Sequence, residues 1–106
     1  MSKGLALRPA ARADIRAIVA HYRADSGPGI ALGFTDQLQR VLVHIGRGLD
    51  PGSPRLGPAL DLPGLRLWPL ARFPHLVLAF ERPDHFDVLR VLHGVRDVPP
   101  ALRPAA

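Results

Sequence analysis

From His75 to Phe80 the chain reads His-Leu-Val-Leu-Ala-Phe, apolar at nearly every position. A strand-length run without polar alternation fits a central strand covered on both faces. Its neighbours must then provide both flanking strands and cover. With 106 residues in all, there is room for one domain, 1–106, able to bury roughly two thirds of the unfolded chain's surface in a single core.

Upstream, Leu5-Ala6-Leu7-Arg8 alternates as a short strand that Pro9 ends. Ala11, Ile15, Ile18, Val19 and Tyr22 then recur at helical spacing with Arg12, Arg16 and Arg23 opposite. This predicts an amphipathic helix over 9–24 with Pro9 in its first turn. Asp25-Ser26-Gly27-Pro28-Gly29 breaks it. A second apolar stripe, Ile30, Phe34, Leu38, Val41, Leu42 and Ile45, is stopped by Gly46 and Gly48. Two helices joined by about five turn-forming residues should form an antiparallel hairpin whose apolar faces need a sheet to cover.

Asp50 to Pro58 carries Pro51, Pro54 and Pro58 with Gly52 and Gly57, and reads as a loop. Leu65-Arg66-Leu67-Trp68 alternates as a strand, and Pro69 places it at an edge or at its end. Pro83-Asp84 makes a hairpin turn into a last strand over 86–93. Period-two alternation puts Phe86, Val88, Arg90 and Leu92 on one face and Asp87, Leu89, Val91 and His93 on the other. The predicted fold is α+β: an N-terminal strand and an antiparallel helical hairpin packed on a small, mainly antiparallel sheet.

Lys3 is the only lysine among 14 basic residues, and the net charge is +5. Guanidinium forks suit carboxylate and phosphate, so an acidic protein or a nucleic acid is a plausible partner. Scattering of the arginines along the chain equally fits a compositional bias. The absence of cysteine excludes disulfides and zinc ribbons and suits a reducing cytoplasm. No apolar run approaches the about 18 residues of a membrane span, so a soluble, cytoplasmic protein is expected.

The hydroxyl residues are Ser2, Ser26, Thr35, Ser53 and Tyr22, and no serine has the strand–turn–helix setting of a nucleophile elbow. His21, His44, His75, His85 and His93 show no metal-ligand spacing. No phosphate-binding glycine loop is present, and no cofactor is expected. Arg90 interrupts an otherwise apolar face. It requires exposure, a covering partner, or a carboxylate such as Asp87, Asp97 or Glu81. His93-Gly94-Val95-Arg96-Asp97 is the densest polar cluster. Gly94 permits a sharp exit from the strand, and Asp97 suits capping or holding Arg96. Trp68 is either core or an exposed anchor for a partner.

Leu65-Arg66-Leu67-Trp68-Pro69, Arg72-Phe73-Pro74 and above all Leu89-Arg90-Val91-Leu92-His93-Gly94-Val95-Arg96-Asp97 resemble the ParE branch of the RelE/ParE toxin superfamily. The last segment is similar to that family's Leu-Arg-Val-Leu-His-Gly-Ala-Arg-Asp ending, with Val95 replacing alanine. The order of a strand, a helical hairpin and an antiparallel sheet agrees across nearly the whole chain.

The resemblance implies a toxin of a type II toxin–antitoxin system that poisons DNA gyrase by binding and is not an enzyme. A cognate ParD-like antitoxin would neutralise it in a hetero-oligomer, without sequence-specific nucleic-acid binding by the toxin itself. Ribosome-dependent mRNA cleavage, as in the RelE branch, is an alternative, and so is a non-toxic member that only binds its antitoxin. Cleavage needs a base, an acid and cations around the phosphate. The strand arginine of RelE-type toxins corresponds to Leu76 here, and their C-terminal tyrosine to the Val98-Pro99-Pro100 region, with His75 or His93 as stand-in bases. Arg66, Trp68, Arg72, Arg90, His93, Arg96 and Asp97 are the candidates for target or antitoxin binding.

Overall fold

The computed structural model describes residues 2–59 and 61–94. The elements run β1 (Gly4–Leu7), α1 (Pro9–Ser26), α2 (Pro28–Gly46), α3 (Leu56–Ala59), β2 (Leu65–Pro69), β3 (His75–Glu81) and β4 (His85–His93). The sheet order is β1-β4-β3-β2. β1 pairs with β4 in parallel, and the other pairings are antiparallel. The expected α+β architecture is therefore present, with β3, as its apolar run requires, one of the two interior strands.

Pro9 occupies the first turn of α1, where its missing N–H forfeits no helical bond. The expected five-residue break between the helices contracts to Gly27, because Asp25 and Ser26 continue α1 while Pro28 and Gly29 open α2. Gly27 has φ +89°, a conformation that a side chain would oppose. Ala11 and Ile15 of α1 meet Phe34, Leu38 and Ile45 of α2 around one face of the sheet, where Val77, Val88 and Val91 are buried. Ile30, assigned by periodicity to that core, is 47% exposed.

The opposite face holds a second cluster in which Leu65, Leu67, Leu78, Leu89 and Leu92 are buried. Leu56 and Leu62 pack against it. The segment read as a plain loop thus contains the helical turn α3. Ser53 is also bonded to β2, exchanging backbone hydrogen bonds of 2.9 and 3.0 Å with Leu67.

A β-bulge corrects the predicted faces of β4. Leu78 pairs with Arg90 while Ala79 pairs with Val88, leaving Leu89 as the additional residue. Val88 and Val91 consequently enter the helix-facing core, and Leu89 and Leu92 the leucine cluster. The face predicted for Arg90 is thus split, with Phe86 and Val88 in the helix-facing core and Leu92 in the leucine cluster.

Candidate interaction surface

An aromatic cluster closes the end of the domain where the α1–α2 turn meets the start of β3. Tyr22 belongs to the apolar stripe of α1 and Phe34 to that of α2, so helix packing brings them together with ring centroids 5.8 Å apart. Phe73, in the β2–β3 connection, lies edge-on to both, at 5.5 Å from Tyr22 and 5.4 Å from Phe34. His75 adds a fourth ring, 5.3 Å from Phe34, and strand pairing sets it against His93 at 5.8 Å. His75 is buried. Arg72 beside it adopts φ +69°, unusual for a residue with a side chain, and remains exposed.

Arg90 is held by a residue outside the expected set. Its Nε and Nη2 donate to the two carboxylate oxygens of Asp14 at 2.7 and 2.8 Å, and the Val91 backbone N–H donates to the same group at 3.0 Å. Asp14 extends along β4 beyond the segment paired with β1, which ends at Val88. Its carboxylate therefore serves as both ion-pair partner and surrogate strand neighbour. The sequence suggests Asp87, Glu81 or Asp97 as that partner. Asp87 instead receives a two-pronged bond from Arg8, at 2.9 and 2.7 Å, with Arg82 at 3.3 Å. The Arg8 guanidinium holds the Asp87 carboxyl below the usual carboxylate range, and Asp87 in turn raises Arg8. Glu81 pairs with Lys3 at 2.7 Å, which lowers its carboxyl as well.

The other sequence candidates do not converge on a single surface. Trp68 is core rather than an exposed anchor: it is 2% exposed, meets Phe86 edge-on, and donates from Nε1 to the Asp50 carbonyl at 2.9 Å. Arg66 on the edge strand donates to the Pro51 carbonyl at 3.1 Å. Arg72 and His93 border the aromatic cluster, whereas Arg90 is tied to α1. Arg96 and Asp97 lie outside the described residues. Gly94 does not have a positive φ; a Cβ there would come within 3.2 Å of Leu76 Cγ, so the position is closely packed against that side chain. Among the described residues, no group of three or more His, Cys, Asp or Glu could hold a metal ion.

Asp14 was legible but overlooked. It lies three residues after Ala11 and four before Ile18, which places a carboxylate beside the apolar stripe where it needs a cationic partner.

The model of the ParE toxin of the type II toxin–antitoxin system parDE matches residues 5–98. The chain belongs to the ParE toxin family. Its fold is similar to a chain of the structure described as the chromosomal ParDE TA system from P. aeruginosa, with a TM-score of 0.72 and 23% identity. That similarity covers 87% of this chain and 96% of the other. No curated protein sequence matches this one. The ParE assignment makes it a toxin of a type II toxin–antitoxin system. Among the described residues, no helix is long and apolar enough to cross a membrane.

Proposed function

We propose that this ParE toxin acts in the cytoplasm by binding DNA gyrase, and that a ParD-like antitoxin neutralises it in a hetero-oligomer. The observation that carries the reading is the family match over residues 5–98. A non-catalytic mode is favoured by how the polar groups near the sheet are committed. Arg90 is engaged by Asp14 at both ends of its fork, and His75 is enclosed by Tyr22 and Phe34. Leu76, at the position of the RelE-type strand arginine, packs with the leucine cluster.

The contact between His75 and His93 gives mRNA cleavage its specific support as a second reading. Controlled expression without antitoxin separates the two. Gyrase poisoning predicts replication arrest and a DNA-damage response with intact mRNA. Discrete cuts in ribosome-bound mRNA, lost on His93→Ala, would overturn the binding mode.

A further inference from the structure

One sector of α1 carries arginines and alanines and no carboxylate. With about 3.6 residues per turn, Arg12, Arg16 and Arg23 fall within about 40° of one another around the helix, and all three are exposed. Ala13, Ala17, Ala20 and Ala24 fill the adjoining sector and are exposed too. The two acids of α1 lie on the far flank and are engaged, Asp14 by Arg90 and Asp25 by His21 at 3.3 Å. Among the described residues Arg12, Arg16 and Arg23 have no ion-pair partner. Arg12 donates from Nε to the Leu7 carbonyl at 3.4 Å. From Arg12 to Arg23 the row extends about 16 Å along the helix axis.

We propose that this arginine row binds the phosphate backbone of duplex DNA without regard to sequence, with the alanine sector turned into the major groove. Charge complementarity and shape select the ligand. Three guanidinium groups along one margin repel one another and attract a regular array of anions, and DNA presents one phosphate charge per about 1.7 Å of its axis. The alanines keep the helix slim enough for the major groove of B-DNA, about 12 Å wide, whereas the deep, narrow groove of an RNA duplex does not admit it. A single-stranded nucleic acid needs aromatic platforms on which to stack its bases, and this sector has none. An anionic membrane needs bulky apolar groups that insert, and an acidic protein needs an apolar centre to bury. The contact is made by the toxin alone, so it stands apart from the gyrase and antitoxin readings.

The test is fluorescence anisotropy of a labelled mixed-sequence DNA duplex titrated with full-length toxin, free of antitoxin, in KCl from about 50 to 200 mM. Three phosphate contacts predict that log K falls with log salt at a slope of about −2.7. Arg23→Gln should reduce that slope by about 1. Arg12→Gln/Arg16→Gln should reduce it by about 2 and weaken binding at the lowest salt by at least about tenfold, with circular dichroism unchanged. Arg40→Gln/Arg47→Gln removes the same charge from exposed positions at and beyond the C-terminal half of α2. It should change the affinity by less than about threefold. Ala20→Arg adds a fourth cation to the face and should steepen the slope by about 1 and tighten binding, a gain that misfolding cannot mimic.

No binding by the wild-type toxin at the lowest salt would overturn the proposal and leave the gyrase reading intact. Equal losses from the α1 and α2 double variants would show a diffuse effect of net charge and overturn it as well. Tighter binding to an RNA duplex of the same sequence would contradict the groove assignment on which it depends.

Discussion

Asp14 and Arg90, separated by 76 positions in the chain, form a two-pronged ion pair that ties α1 to the last strand. Their side chains are 13% and 27% exposed. Asp14→Ala removes the countercharge and the acceptor of the Val91 N–H together, so it should destabilise the domain by about 2 to 3 kcal/mol in urea unfolding. Arg90→Ala should cost less because Asp14 retains the Val91 bond. A double-mutant cycle should give a coupling of about 1 to 3 kcal/mol. Additive single effects would show that the pair contributes little to stability. Reduced toxicity of an Arg90 variant must accordingly be compared with its stability before it is attributed to a lost target contact.

Gly52 should tolerate no side chain. Its φ is +71°, and a Cβ would approach Trp68 Cε2 to 2.6 Å. Gly52→Ala is expected to destabilise the fold by about 2 to 4 kcal/mol and alter tryptophan fluorescence. Unchanged emission and an unchanged unfolding midpoint would mean that the Asp50–Ser53 segment does not clamp Trp68.

Acid should weaken the junction between β1 and β4. The Asp87 carboxyl is lowered chiefly by its hydrogen bonds from Arg8. Its contribution is thus complete above the unfolded carboxylate pKa of about 3.9 and disappears as pH falls through the lower folded value. Comparing urea midpoints of wild type and Asp87→Asn from pH 7 downward should show a constant gap above about pH 5 that closes below pH 4. A gap independent of pH throughout that range would exclude the Arg8–Asp87 charge pair as its source.

Much of this fold is legible because the relevant signals are local. The uninterrupted apolar run at His75–Phe80 marks an interior strand, the stripes from Ala11 and Phe34 mark the helices, and Pro69 marks the end of an edge strand. The faces of β4 were misread because period two fails where Leu89 enters as a bulge, and no local residue pattern announces it. Arg90 pointed to a needed countercharge, but the carboxylate came from α1, a pairing that depends on tertiary packing. Trp68 was ambiguous because its alternation fits both core and surface; the Asp50 carbonyl and the space over Gly52 place it inside. At α2, helical spacing alone assigns Ile30 to the core, whereas in the first turn, just after the single-residue Gly27 connection, it is 47% exposed.

As proposed, the toxin stops replication by binding gyrase, without a catalytic step of its own. This mode of action is tested most directly by adding purified full-length toxin, alone or premixed with antitoxin, to a gyrase supercoiling and DNA-cleavage assay. Dose-dependent loss of supercoiling or accumulation of gyrase–DNA cleavage complexes, reversed by the antitoxin, is the expected result. Unaltered supercoiling and no stabilised cleavage complex, from a preparation of a chain that still arrests growing cells, would contradict it.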